Sequence, residues 1–331
     1  MSIRLPCATG HRRKIKDNNI AGNLSYGQKL ERVGTSGQWT MILLNGKKYY
    51  VSSAYVTSKK TASAGAVQTT SQTAAGAQTS GGTAIALSSN YKYANYSKIN
   101  SGTATLYRST ASNKKNKVVC VNAGHGTNGG GSVKTQCHPD GSAKVTGGTT
   151  GAGATSAVAV SSGMTFADGT AESKVTLAMA KVLKTKLLNA GYDVLMIRES
   201  DDVQLDNIAR TVIANNNADC HIALHWDSTS SNKGAFFMSV PSNATYRAME
   251  PVASHWKQHN QLGESLISGL KSAGVKIYSK GSMEMDLTQT SYSTIPSVDI
   301  ELGDKASDHS GATLETLANG LLAGVNTFFG Q

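Results

Sequence analysis

The chain has 331 residues, 39% of them hydrophobic and 6% aromatic, with 34 glycines and a net charge of +11. That length accommodates two domains and one sizeable core. Its apolar runs are strand-sized and fall well short of the roughly 18 residues that span a bilayer, so no membrane-spanning helix is expected. The opening MSIRLPCATGHRRKIK has no apolar h-region, so no signal peptide is expected at this start. Three routes stay open on that basis: a cytosolic protein, a matured exported one, or one released by another path.

The charge is unevenly spread. Residues 1–60 carry 11 Lys/Arg against two Asp/Glu, and residues 61–117 carry six Lys/Arg and no acid. Residues 118–331 reverse the balance, with 15 Lys/Arg against 19 Asp/Glu. A basic N-terminal third suits a polyanion, either nucleic acid or an anionic cell-wall polymer, or is simply a solvated basic face. The acidic remainder argues against a nucleic-acid active site, and no aromatic-interleaved basic stripe is present.

In chain order, residues 1–57 hold short apolar runs punctuated by glycine. Met41–Leu44, then Asn45-Gly46, then Tyr49–Val51 predicts a hairpin with a tight turn, and so a small all-β unit. Residues 58–89 have no apolar periodicity and are rich in Ala, Thr, Ser and Gly, the composition of a flexible linker. Residues 90–117 lead into a second domain over 90–331. From Val118 strands and helices alternate. VVCVN, YDVLMIR, DCHIALH, AFFMSV and SVDIEL read as strands. Helices are expected after Glu172, over QLDNIARTVIANNNA, through about 246–273, and in the C-terminal tail. This is an α/β class with a mostly parallel sheet flanked by helices, whose ligands sit outside the carboxyl ends of the strands. Residues 127–168, a Gly-rich stretch, read as an irregular insertion.

Three polar residues fall where such a fold places chemistry. His125 ends the first strand, His225 ends CHIALH, and Glu172 opens the long helix. Two imidazoles and a carboxylate from separate elements suit an open zinc site, which leaves one position for water or substrate. Glu301 ends a later strand and supplies a carboxylate for proton shuttling. Each residue has a plainer reading. A histidine at a strand end can be a structural hydrogen-bonding group, Glu172 a first-turn acid favoured by the helix dipole, and Glu301 half of an ion pair. Rivals for metal are His255 and His259, four apart on a helix face expected to be exposed, and His138 beside Cys137. His221 reads as a core histidine. Cys120 and Cys220 read as buried free thiols, and Cys7, Cys120, Cys137 and Cys220 show no zinc-finger spacing.

The order of NAGHG (122–126), GTAES (169–173), GYDVLMIRESDD (191–202), ARTVIANNNADCHIALHWDS (209–228) and PSVDIELGD (296–304) resembles the zinc-dependent N-acetylmuramoyl-L-alanine amidases of the type 3 group, which cut peptidoglycan. The resemblance runs from about Val118 to the C-terminus. It implies one Zn2+ per catalytic domain on His125, Glu172 and His225, with Glu301 as the catalytic carboxylate and Arg210 structural. It departs from the family pattern in the long 127–168 stretch, expected to be a lid, a substrate-binding loop or a longer rim. Trp226 stands where a small residue is usual, and either stacks on a sugar or peptide face or packs inside. Residues 22–56 resemble a bacterial SH3-type domain, which implies a wall-binding role for 1–57. The expected substrate is peptidoglycan, with anionic wall polymers as a further partner, no protein partner, and action at the cell wall or outside the cell. Alternatives are a zinc peptidase cutting the stem peptide and a wall-binding protein without catalysis.

Overall fold

The computed structural model describes residues 81–331 throughout and, before them, residues 2–4, 20–23, 31–36, 39–44 and 47–52. Cys7, the Asn45-Gly46 turn and residues 58–80 of the expected linker lie outside the described residues. The chain forms two units, Met1–Thr73 and Ala74–Gln331.

In the first unit, β1 (Ser2–Arg4), β2 (Ile20–Asn23), β3 (Glu31–Ser36), β4 (Trp39–Leu44) and β5 (Lys47–Ser52) form one antiparallel sheet in the order β2-β1-β5-β4-β3. Thr40 and Ile42 alternate along β4 and are buried, while Met41 and Leu43 are half-exposed, the period-two pattern of a strand with one covered face. Tyr50 and Val51 of β5 are buried as well.

The second unit is built on eight strands. These are β6 (Thr83–Ala86), β7 (Thr103–Tyr107), β8 (Val118–Ala123), β11 (Asp193–Met196), β12 (Cys220–Asp227), β13 (Ala235–Ser239), β14 (Ile277–Glu284) and β15 (Ser297–Asp304). Their order is β14-β13-β15-β12-β8-β11-β7-β6. The central four, β15, β12, β8 and β11, are mutually parallel. The sheet is nonetheless mixed. β7 runs antiparallel to β11, β6 to β7, and β13 to β15. Only a short turn separates β12 from β13, too few residues for the crossover that a parallel return needs. β15 follows β13 in the chain but is inserted between β13 and β12.

Helices cover both faces. On one lie α1 (Glu172–Asn189), α4 (Val252–Ser272) and α6 (Gly311–Phe329). Their Val175, Leu183, Leu266 and Leu321 pack on Val119, Val121, Leu224 and Ile300 of the sheet. On the other face α2 (Asn207–Asn217) sets Ala209 and Ile213 against Cys120, Leu195 and Ile197. Burial on both faces explains why the central strands read as continuous apolar runs. Two short helices, α3 (Ala244–Ala248) and α5 (Thr288–Tyr292), complete the unit, with a separate antiparallel pair, β9 (Lys134–Gln136) and β10 (Ser156–Val158), inside the 127–168 stretch. Among the described residues no helix is long and apolar enough to cross a membrane.

Two strands differ from the sequence reading. β6 lies within the expected linker, and its residues are mostly exposed, so it is recruited by backbone pairing to β7 rather than by an apolar pattern. β14 was not foreseen for the same reason, since it is an edge strand with few buried side chains. Residues 90–117 are part of the fold. Asp206 caps α2 by accepting from Ala209 N at 2.8 Å, and its other oxygen accepts from Lys98 N at 2.6 Å and Ile99 N at 2.9 Å.

Candidate metal centre

Parallel packing of β8, β12 and β15 brings the ends of three strands to one edge. β12 and β8 pair with Leu224 beside Ala123, and β12 and β15 pair with His225 beside Glu301. The chain leaves β8 through Gly124 into His125, whose φ of 63° lies in the left-handed region. That conformation is uncommon for a side-chain-bearing residue and is often found at functional sites. It turns the imidazole back over the sheet edge, towards the first residue of α1.

There His125 Nε2, His225 Nδ1 and Glu172 Oε1 meet. His125 Nε2 lies 2.9 Å and His225 Nδ1 3.1 Å from Glu172 Oε1, and the two nitrogens are 3.0 Å apart. Across the three residues the candidate ligand atoms all lie within 4.8 Å of one another. His125 turns its other nitrogen, Nδ1, to the carbonyl of Ser161 at 2.9 Å. A proton held there leaves Nε2 as a lone pair facing the centre, the tautomer a metal ligand needs. Glu172 accepts at Oε2 from Met164 N at 2.8 Å and at Oε1 from Trp226 N at 3.0 Å. Burial alone would raise the Glu172 carboxyl, but its close contacts with the His125 and His225 imidazoles hold it well below its usual range. The donor set, two imidazole nitrogens and one carboxylate oxygen on one point, fits an open divalent site.

Close approach makes room for it. A Cβ on Gly124 would stand 2.2 Å from the His225 ring, and one on Gly163, where φ is +80°, 2.7 Å from the His125 ring and 2.8 Å from Glu172 Oε2.

Two carboxylates of β15 flank the centre. Asp299 Oδ2 lies 3.6 Å from His225 Nε2, the nitrogen turned away from Glu172. Burial would lower His225, yet Asp299 first, then Glu172 and Glu301, raise its pKa to about 10. Glu301 is buried, and its Oε2 has no hydrogen-bond partner among the described residues. Burial, then the neighbouring Asp299, push its carboxyl well above the usual range. Two buried arginines brace the turn from behind. Arg210 donates to His125 O at 2.8 Å and Asn122 Oδ1 at 3.1 Å, and Arg198 donates to Gly124 O at 2.9 Å and Ser173 O at 2.8 Å.

The rival groups sit elsewhere. His259 is buried, not exposed, because α4 turns that face onto β15, and its Nδ1 accepts from Ser297 N at 3.0 Å. Burial first, then His255 and His221, lower its pKa to about 3. His255 Nδ1 bonds the Pro251 carbonyl at 2.8 Å. His221 is a core residue that accepts from Asn122 at 3.2 Å. His138 lies between Ser142 Oγ at 2.9 Å and Asp286 Oδ2 at 3.0 Å, a Ser-His-Asp row. The Ser142 hydroxyl donates to Asp140 at 2.7 Å, so it faces His138 as an acceptor, the wrong polarity for an activated nucleophile. Trp226 packs against Phe166 at 2% exposure, which leaves no face for a sugar. Cys120, Cys137 and Cys220 are buried free thiols.

Sequence reasoning missed Asp299, although residues i and i+2 of a strand share a face, so Glu301 already pointed to it. It also missed the Ser161 carbonyl, a backbone group that carries no sequence signal.

The profile of the N-acetylmuramoyl-L-alanine amidase family matches residues 119–319, a span that contains all four of these site residues. The chain belongs to that family. The amidase region is similar in fold to the N-acetylmuramyl-L-alanine amidase of Mycobacterium abscessus, at 19% identity and a TM-score of 0.50, covering 64% of this chain and 98% of that one. The corresponding enzyme of Mycobacterium smegmatis matches at 20% identity and a TM-score of 0.50, covering 66% of this chain and 99% of that one. No curated protein sequence matches the amidase.

Proposed function

We propose that the chain hydrolyses the amide between the lactyl group of N-acetylmuramic acid and L-alanine in peptidoglycan, using one Zn2+ held by His125, Glu172 and His225. The observation that carries this is the convergence of those three ligand atoms at the carboxyl ends of parallel strands, with Glu301 in register beside His225. When bound there, the ion polarises the amide carbonyl and lowers the pKa of water towards roughly 7. Glu301 takes a proton from the attacking water and returns it to the departing L-alanine nitrogen, which is a very poor leaving group unless protonated. A buried carboxyl beside Asp299 is a strong proton acceptor, which suits both transfers. Ser161 holds His125 in its ligating tautomer, and Asp299 faces the outer nitrogen of His225.

The first unit is then an SH3-like wall-binding module. Its antiparallel five-stranded sheet and the 11 Lys/Arg against two Asp/Glu in residues 1–60 support attraction to anionic wall polymers. On this reading the chain acts at the cell wall or outside the cell.

Digestion of purified peptidoglycan, with chelator and with zinc restored, tests the reading. New L-alanine amino termini that vanish with chelator and return with zinc are expected. Other new amino termini would identify a stem-peptide peptidase, and no release with zinc bound would identify a binding protein.

A further inference from the structure

The 127–168 stretch is more than chain between two ligands. It builds one side of a cleft of about 510 Å³ that runs from the metal centre past Lys144 and Gly148–Thr150. Met285 and Leu287 also line it, with Met285 packed directly against Gly148. Between those two residues sits Asp286, which is fully buried. Its carboxylate accepts from Val145 N at 2.8 Å, Thr146 N at 3.0 Å, His138 Nε2 at 3.0 Å and Lys144 Nζ at 3.1 Å, and from the Thr146 hydroxyl. Asp286 N donates in turn to Thr146 Oγ1 at 2.9 Å. One side chain therefore ties the 144–146 segment of the lining to the 285–287 segment, and none of its bonds goes to His125, Glu172, His225 or Glu301.

We propose that Asp286 is a positioning residue for substrate, holding the 144–150 wall at the width that seats the peptide beyond L-alanine. This rests on the amidase reading. The chemistry of the cleft favours peptide over glycan. Met164, Met238, Met283 and Met285 line it with adaptable thioethers, and Gly148 and Thr149 bring backbone to its surface. Lys144, a cation of the lining, is spent on Asp286. Trp226 is buried and offers no stacking face to a sugar. Breaking the clamp lets the wall move while the metal centre stays intact, so it weakens binding of a long peptide without slowing the chemistry.

The experiment compares the full chain with Asp286→Asn on two soluble substrates, N-acetylmuramoyl-L-alanine and N-acetylmuramoyl tetrapeptide. Expected for Asp286→Asn is a KM for the tetrapeptide substrate raised about tenfold, equivalent to about 1.4 kcal/mol of binding. Its kcat stays close to wild type, KM for the short substrate does not move, and zinc content is unchanged. A folded, zinc-loaded variant with wild-type KM on both substrates overturns the proposal, as does an equal loss of kcat on both. Thr146→Val, which removes the hydroxyl from the clamp and keeps its shape, carries the same comparison with a smaller rise if Asp286→Asn does not fold. Failure of the wild-type chain to release L-alanine termini from either substrate sinks the amidase reading instead.

Discussion

At the scale of single residues, the centre depends on which nitrogen of each histidine is left free. Ser161 decides this for His125 through Nδ1, and Asp299 faces the outer nitrogen of His225. Asp299→Ala should therefore weaken zinc about 10- to 100-fold, as removal of outer-shell carboxylates typically does; titration against a competing chelator reads it directly. Glu301→Gln separates the other role. It should hold zinc with wild-type affinity while kcat falls about 10²- to 10⁴-fold, the range for loss of a general acid–base. Near-normal turnover would remove Glu301 from the proton path. These side chains were visible in the sequence because strand ends and a helix start are marked by composition. Their support was not, because a backbone carbonyl has no letter of its own and Arg198 resembles any other strand-end arginine.

At the scale of elements, much of the chain was legible wherever burial imposes a pattern. β8, β12 and β15 are covered on both faces and spell it out in apolar residues; β6 and β14 are edges, where backbone pairing suffices and the side chains face water. The loop before α1 shows how an element shapes the centre without supplying a ligand. Gly163→Ala forces a Cβ against His125 and Glu172 at a left-handed φ, and should cost zinc affinity more than tenfold while far-ultraviolet circular dichroism stays unchanged. Asp206 does comparable work for the lead-in. Asp206→Ala strands the amides of Lys98 and Ile99 and the α2 cap, at a cost of about 1–3 kcal/mol in denaturant unfolding.

At the scale of the whole molecule, stability should respond to acid through the clamp on the insertion. Burial would raise the Asp286 carboxyl, but His138 first, then Thr146 and the Val145 amide, hold it well below its usual range. A carboxyl depressed in the folded state stabilises fully above its unfolded value of about 4, and that contribution disappears as pH falls further. Thermal melts of wild type and Asp286→Asn should consequently differ most near neutral pH and draw together progressively as pH falls below about 4. A gap that persists unchanged into acid would mean the carboxylate's charge is not what the fold uses.

The position of β15 has a consequence for when such a molecule can act. A ribosome delivers β12 and β13 well before β15, yet β15 must enter between them and brings Asp299 and Glu301 with it. The strand that completes the sheet is also the strand that carries Glu301, the carboxylate proposed above to handle the proton. On that proposal, a nascent chain holding all three candidate metal ligands still lacks its proton acceptor until that late segment emerges and inserts.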